Sequence, residues 1–264
     1  MRMDYETFHL ERVDDHVLIV MMDRPEVANA KNTAMGLEQI EIFQSLYRDT
    51  EGVRVVILTG RGDKAFCAGG DLKERNNMTN HQWQVQHNIF EQGVMAFRMC
   101  PVPVIAAVNG AAYAGGLETV LQCDFAYAAA TARFALTEVT LGIMPGAMGT
   151  QNLPHAVGER RAKEIILTGR PFTAQEAYDW GVVNKLCEPG KLMDETLETA
   201  KRIAANAPLS IRAAKRSISV ATQVDRTSGF QFELQAYNRL VGTEDRLEGV
   251  RAFNEKRKPQ FKGS

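Results

Sequence analysis

The chain has 264 residues, of which 45% are hydrophobic and 24% are charged, and its formal net charge is −1. This length is sufficient for a large core in one or two domains, and the near-neutral charge argues against nucleic-acid binding, which usually requires a basic excess. The 4 cysteines show no CxxC spacing, which favours reduced thiols over a disulfide-stabilised scaffold.

The N-terminal residues and the longest apolar run bear on targeting. Residues 1–15 are polar and acidic, without the apolar stretch of a signal peptide or the Arg-rich character of a transit peptide. The longest apolar run, 102–108, has the length of a strand and is far too short to cross a bilayer. We therefore expect a cytoplasmic protein that does not associate with membranes.

Strands alternate with helices along the first part of the chain. Hydrophobic patterning predicts strands at 5–13 and 16–22, a helix at 33–48, a buried strand at 53–59, a helix at 81–99, and strands at 102–108 and 125–128. Strands that alternate with helices are typical of parallel crossovers, so we expect an α/β core.

After about Gly149 the pattern becomes mostly helical. Helices are predicted at 162–167, 174–180, 192–205, 208–222, 229–240 and 246–254, and a strand at 181–186. We therefore divide the chain into an α/β core at 1–190 and a C-terminal helical region at 191–264.

Two glycine-rich loops lie near the ends of predicted buried strands. One contains Gly69-Gly70, and the other contains Gly115-Gly116 and leads into Glu118. Such loops leave backbone N–H groups at the carboxyl ends of strands, where α/β proteins bind ligands, and two of these amides can form an oxyanion hole. Either loop could instead be an ordinary tight turn, with Asp71 capping the helix 72–76 and Glu118 compensating a helix dipole.

Glu138 is an acid in an apolar stretch, flanked by Leu136, Val139 and Leu141. It is either a solvent-facing helix residue or a desolvated functional group. Burial raises a carboxyl pKa and a nearby second carboxylate separates the two values, which suits acid/base chemistry. Glu118 and Glu138 are thus a candidate catalytic pair, although perturbed acids also occur in structural networks.

No metal site is predicted. The 5 histidines form no HxxxH or HExxH pattern, and the chain has no P-loop, GxSxG or GxGxxG motif. We interpret both tryptophans, Trp83 and Trp180, as core or loop anchors.

A set of motifs runs in order along almost the whole chain. They are Arg24-Pro25 with Asn29-Ala30, residues 65–72, residues 103–110, Ala114-Gly115-Gly116-Leu117-Glu118, Cys123-Asp124, Glu138 with Leu141-Gly142 and Pro145-Gly146, Gly149-Thr150-Gln151, Leu167-Thr168-Gly169, Gly181-Val182-Val183 and Glu255-Lys256-Arg257-Lys258. Together these motifs resemble the enoyl-CoA hydratase/isomerase, or crotonase, superfamily. The resemblance implies a spiral of ββα units, a C-terminal helical region that builds homotrimers or hexamers, and an acyl-CoA thioester substrate with no separate cofactor.

The resemblance also implies roles for individual residues. Glu118 and Glu138 match the two catalytic acids of the hydratases, and the amides of Gly70 and Gly115 match the oxyanion hole. The positions that match substrate or CoA contacts are Val27, Ala28, Ala30, Lys64, Ala68, Gly69, Asp71, Leu72, Gly116, Pro145 and Gly146. The segment 76–90 matches a region that often shapes the acyl pocket.

Both acids are present, so the resemblance implies reversible addition of water to a 2-enoyl-CoA. Alternatives within the family are an enoyl-CoA isomerase or another acyl-CoA lyase or hydrolase that relies on one glutamate. A CoA-binding scaffold and an RNA-binding relative are alternatives outside catalysis. The helix 33–48 has no lysine run, which disfavours RNA binding.

The chain departs from the hydratase pattern at several positions. Ala114 replaces the first of three glycines, Met148 replaces a common glycine, and Lys31 stands where leucine is usual. These changes leave the acyl group of the substrate open.

Overall fold

The computed structural model describes residues 1–264 and contains ten strands and eleven α-helices. The strands are β1 (Phe8–Arg12), β2 (Val17–Met22), β3 (Val55–Gly60), β4 (Ala65–Cys67), β5 (Val104–Val108), β6 (Ala111–Tyr113), β7 (Phe125–Ala129), β8 (Arg133–Ala135), β9 (Phe172–Thr173) and β10 (Lys185–Cys187). The helices are α1 (Thr33–Arg48), α2 (Leu72–Arg75), α3 (Asn80–Arg98), α4 (Gly115–Gln122), α5 (Gly149–Val157), α6 (Glu159–Thr168), α7 (Ala174–Asp179), α8 (Leu192–Ala204), α9 (Pro208–Ala221), α10 (Arg226–Val241) and α11 (Glu244–Asn254).

The larger sheet has six strands in the order β1-β2-β3-β5-β7-β10. β1 and β2 form an antiparallel pair, and all other neighbours are parallel. Its central strands β2, β3 and β5 are buried on both faces, as expected for a parallel sheet covered by other elements. Val56, Leu58 and Ala106 belong to the core on one side, and Val55, Ile57 and Ile105 to the core on the other. This alternation follows the two-residue period of a strand.

The second sheet consists of short strands in the order β4-β6-β8-β9. Each of β3, β5 and β7 is followed directly in the chain by one of these short strands, β4, β6 or β8. A helical segment then follows before the next long strand, which produces the repeated ββα units that the resemblance implies. The glycine-rich loops therefore extend from β4 and β6, whereas the sequence placed them after β3 and β5. Three-residue strands are too short to produce a recognisable hydrophobic period.

The helical region after residue 191 packs on the core. Leu192, Ala200 and Ala204 of α8 cover one face of the larger sheet. Lys215 of α9 donates to the backbone oxygen of Val102 and to the Asp124 carboxylate, both at 2.8 Å. The predicted helices of this region are present, and none of the protein's helices is long and apolar enough to span a membrane.

Two other differences from the sequence prediction occur between residues 149 and 187. Helix α5 is absent from the prediction because Gly149 at its start and Pro154 inside it weaken the helical signal. The strand predicted over 181–186 is shorter and later, since β10 starts at Lys185 and pairs in parallel with β7.

Candidate active site

The two glycine-rich loops lie side by side. β4 and β6 pair in parallel, with Cys67 opposite Ala112, so the loops leave the same edge of the small sheet. A Cβ atom on Gly116 would lie 2.0 Å from the backbone oxygen of Cys67, and one on Gly69 would lie 3.2 Å from the backbone nitrogen of Gly115. Only glycine permits this approach at position 116.

Each loop contributes a glycine to the lining of the same cavity. Gly70 and Gly115 both line the cavity. The N–H of Gly70 donates to no protein acceptor. Gly115 is the first residue of α4, so its N–H has no acceptor within the helix and lies at the positive end of the helix dipole. Two such donors can stabilise a developing oxyanion.

Glu118 lies in the first turn of α4 and is 3% exposed. Its Oε1 atom accepts hydrogen bonds from the backbone N–H groups of Ala147 at 2.7 Å and Gly149 at 2.8 Å. Burial raises the pKa of this carboxyl, and the two amide hydrogen bonds oppose that rise. Its carboxylate is therefore fixed in position on the cavity wall.

Glu138 begins a 3₁₀ turn, Glu138–Leu141, and is also buried. Neither of its carboxylate oxygens has a hydrogen-bond partner. Burial raises the pKa of Glu138 to about 7, and the negative charge of Glu118 contributes to the rise. The structure thus shows a desolvated acid here and not a solvent-facing helix residue.

Both glutamates face a cavity of about 590 Å³. The predicted site residues that line this cavity are Ala68, Gly70, Leu72, Gly115, Glu118, Glu138, Pro145 and Gly146. The others, which lie outside the lining, are Val27, Ala28, Ala30, Lys64, Gly69, Asp71 and Gly116. The cavity therefore unites the acids with both amides, whereas the positions matched to CoA lie mostly beyond it.

Asp71 has structural partners that account for its position. Its carboxylate accepts a hydrogen bond from Arg24 at 2.9 Å and caps the N-terminus of α2 through the amides of Lys73 and Glu74. This is the capping role that the sequence offered as the alternative to ligand binding.

Several residues that line the cavity were not among the predicted site residues. They are Lys31, Gln39, Arg75, Trp83, His87 and Phe90. Trp83 is a wall of the cavity, which corrects its interpretation as a core or loop anchor, while Trp180 packs near Phe172 with ring centroids 5.3 Å apart. The sequence indicated this wall through the segment 76–90, which matches a region that often shapes the acyl pocket. The side chains of this segment share the cavity with Gln39 because α1 packs against α3.

No group of three or more His, Cys, Asp or Glu side chains is arranged to hold a metal ion. The residues that line the cavity include two glutamates, the glycines Gly70 and Gly115, and apolar, aromatic and cationic side chains. This set can polarise a carbonyl group and move a proton beside it.

Comparison with known proteins gives consistent results over the whole chain. A family described as enoyl-CoA hydratase/isomerase matches residues 12–264. A putative enoyl-CoA hydratase/isomerase, YngF of Bacillus subtilis, is 40% identical over 250 residues, which are 95% of this chain and 96% of the relative. A short-chain-enoyl-CoA hydratase of Clostridium acetobutylicum is 38% identical over 92% of each chain. The crystal structure of an enoyl-CoA hydratase from Bacillus anthracis superimposes with a TM-score of 0.96 at 43% identity, covering 98% of this chain and 100% of that one.

Proposed function

Because this chain belongs to the enoyl-CoA hydratase/isomerase family, we propose that it catalyses the reversible hydration of a 2-enoyl-CoA thioester. The observation that carries the proposal is the presence of two buried glutamates, Glu118 and Glu138, in one cavity with the backbone amides of Gly70 and Gly115. Hydration requires a base for water, an acid for the α-carbon and stabilisation of an enolate. These four groups supply all three.

The proposed reaction proceeds through an enolate. The amides of Gly70 and Gly115 donate to the thioester oxygen, which draws electron density from the C2=C3 double bond. The water oxygen bonds to C3 while one glutamate accepts its proton, and the other glutamate delivers a proton to C2 as the enolate collapses. Removal of one donor from such an oxyanion hole typically raises the activation barrier by about 3 kcal/mol. The two carboxyls titrate jointly, so either can hold the proton before water attacks.

The CoA moiety is proposed to extend from the cavity along residues 27–30. Ala68 lines the cavity, and its N–H donates to the backbone oxygen of Ala28 at 3.0 Å. Val27 and Ala28 are half-buried, and Lys64 is exposed nearby on the loop before β4. Backbone groups at this edge suit the pantetheine arm, and the Lys64 ammonium suits a CoA phosphate.

The main alternative is an enoyl-CoA isomerase, which moves a proton between C2 and C4 without adding water. A direct test follows the absorbance of the conjugated thioester with purified protein. A hydratase removes this absorbance from a 2-enoyl-CoA and forms a 3-hydroxyacyl-CoA that is heavier by the mass of one water molecule. An isomerase instead generates the absorbance from a 3-enoyl-CoA with no change of mass. Isomerisation without any hydration of a 2-enoyl-CoA would reject the proposal.

We also propose that the protein is a homotrimer, or a hexamer made of two trimers, in the cytoplasm. Large apolar side chains are exposed along the C-terminal helices, among them Phe230, Tyr237, Val250 and Phe253. Exposed apolar side chains of this kind favour association with another copy of the chain. Light scattering coupled to gel filtration measures the mass directly, and a monomer would contradict this part of the proposal.

A further inference from the structure

Arg75, the last residue of α2, places a guanidinium group in the cavity wall. Its Cζ atom lies 4.2 Å from the ring centroid of Trp83 and 5.5 Å from that of Phe90. Its Nε atom donates to Oε1 of Gln86 at 2.7 Å. The aromatic rings and this hydrogen bond fix the plane of the guanidinium group.

Gln86 is itself held in place. It is 2% exposed, and its amide nitrogen donates to Thr33 Oγ1 at 2.9 Å and to Glu74 Oε2 at 2.7 Å. The orientation of Arg75 is therefore set by a network that reaches α1 and α3. Such support is what a preorganised binding group requires.

The terminal nitrogens of Arg75 have no partner in the protein. Nη1 and Nη2 make no hydrogen bond, and no carboxylate forms an ion pair with the guanidinium group, whose charge interacts with that of Glu74. The nearest acid, Glu74, accepts instead from the Thr33 backbone and from Gln86. A planar guanidinium with both terminal nitrogens open matches the geometry of a carboxylate, which it binds through two parallel hydrogen bonds.

The second cation of the cavity, Lys31, is already engaged. Its ammonium group donates to Thr119 Oγ1 at 2.6 Å and to Gln39 Oε1 at 3.3 Å. Arg75 is thus the cationic group of the wall that remains available to an anion.

Arg75 also lies beside the proposed oxyanion hole. A Cβ atom on Gly70 would be 3.2 Å from Nη1 and 3.3 Å from Cζ of Arg75. An anion bound there is consequently close to the thioester. The phosphates of CoA are separated from the thioester by the whole pantetheine arm, so the anion must belong to the acyl group.

We infer that Arg75 is a specificity-determining residue that binds a second carboxylate on the acyl chain. The preferred substrates are then CoA monothioesters of unsaturated dicarboxylic acids. Arg75 offsets the repulsion that Glu118 and Glu138 exert on such a substrate in the same cavity. This inference rests on the proposed hydration for the position of the thioester.

The test compares two substrates of equal chain length, (E)-pent-2-enedioyl-CoA and (E)-pent-2-enoyl-CoA, which differ by a carboxylate in place of a methyl group. The variants are Arg75→Met, which removes the charge, and Arg75→Lys, which keeps the charge but loses the planar fork. Lys73→Met is the matched control, because Lys73 is exposed on the same short helix and lies outside the cavity lining.

We expect the unmodified protein to have the higher kcat/KM for the dicarboxylic substrate. Arg75→Met should lower that value by about 10- to 100-fold, the range for hydrogen bonds between charged groups. The loss on pent-2-enoyl-CoA should be much smaller, because that substrate has no carboxylate for Arg75 to bind. For the dicarboxylic substrate, the kcat/KM of Arg75→Lys should lie between those of the unmodified protein and Arg75→Met. Lys73→Met should match the unmodified protein on both substrates. Equal losses on both substrates, or a preference for pent-2-enoyl-CoA in the unmodified protein, would overturn the inference.

Binding of the saturated thioesters separates this inference from the proposed reaction. Calorimetry with pentanedioyl-CoA and pentanoyl-CoA requires no hydration. Tighter binding of pentanedioyl-CoA that is lost in Arg75→Met supports the inference even if neither enoyl-CoA is hydrated, in which case only the proposed reaction fails. Hydration of pent-2-enoyl-CoA with no Arg75-dependent binding preference would overturn the inference and leave the reaction intact.

Discussion

Glu118 and Glu138 line one cavity, but only Glu118 has hydrogen-bond partners. Its Oε1 atom accepts two backbone N–H groups, whereas both oxygens of Glu138 have none. Burial raises the pKa of both carboxyls, and that of Glu138 reaches about 7. Since only the charge of Glu118 is compensated by amides, the two acids differ in proton affinity, as proton transfer between water and an α-carbon requires.

The first prediction concerns the catalytic contribution of each acid. Glu118→Gln and Glu138→Gln should each lower kcat for hydration by about 10²- to 10⁴-fold, because each removes one proton-transfer group. Steady-state assays with a conjugated enoyl-CoA measure the loss. Glu188→Gln, at an exposed position, is the control and should retain activity. A variant that keeps full activity without one of the two acids would indicate a one-glutamate mechanism.

The second prediction concerns pH and stability. The pKa of Glu138 is about 7 in the folded protein against an ordinary value of 4.5. Below pH 4.5 the carboxyl is protonated in both the folded and unfolded states and has no net effect. Between pH 4.5 and about 7, Glu138 is ionised in the unfolded chain but keeps its proton in the folded protein. The free energy of unfolding therefore falls as pH rises through this range.

Glu138→Gln removes this penalty and should therefore stabilise the protein at neutral pH. The difference in unfolding free energy between the variant and the parent should grow from pH 4.5 to about 7 and then level off at about 1–3 kcal/mol. Thermal melts across this pH range measure it, with Glu188→Gln as the reference for an exposed glutamate. A difference that is constant with pH would show that Glu138 is not desolvated.

The sequence predicted the longer elements because their hydrophobic periods extend over a full strand or several helical turns. The 53–59 strand and the 33–48 helix correspond to β3 and α1 within a residue or two. It also indicated both glycine-rich loops, since glycine pairs beside buried strands have a direct physical reading. The three-residue strands β4, β6 and β8, which set the actual position of these loops, carry no comparable local signal.

Other features of the site depend on packing between distant segments. The sequence alone leaves Glu138 either exposed or desolvated, because the choice depends on which residues surround it in the fold. Arg75 and Trp83 share a wall of the cavity because Arg75 packs beside Gly70 and against the Trp83 ring, contacts that no spacing in the sequence reveals. The amide partners of Glu118 are Ala147, in the loop before α5, and Gly149, the first residue of α5, a helix that the sequence did not predict.

The third prediction concerns Gly149, which supports Glu118. Its N–H donates to Glu118 Oε1, and a Cβ atom at this position would lie 2.9 Å from that oxygen and 2.9 Å from Pro145 Cβ. Gly149→Ala should therefore displace the carboxylate and lower kcat by up to about 100-fold, as a misplacement of about 1 Å can do. Gly242→Ala is the matched control, because a Cβ there would meet no atom within 4 Å. Unchanged kcat in Gly149→Ala would show that the position of Glu118 does not limit catalysis.

The last prediction concerns backbone strain at Ala114, immediately before the Gly115 amide. Ala114 has φ of 49° and ψ of −125°, a conformation that favours glycine. Ala114→Gly should raise the free energy of unfolding by about 1 kcal/mol, since relief of strain exceeds the entropic cost of an added glycine. The Gly115 N–H stays at the first position of α4, so kcat should remain within about twofold of the parent value.

Urea unfolding at one protein concentration measures stability, with Ala112→Gly as the control. Ala112 is fully buried in β6 and is not among the residues of positive φ, so its replacement should destabilise the protein. Destabilisation of similar size in both variants would mean that residue 114 stores no strain.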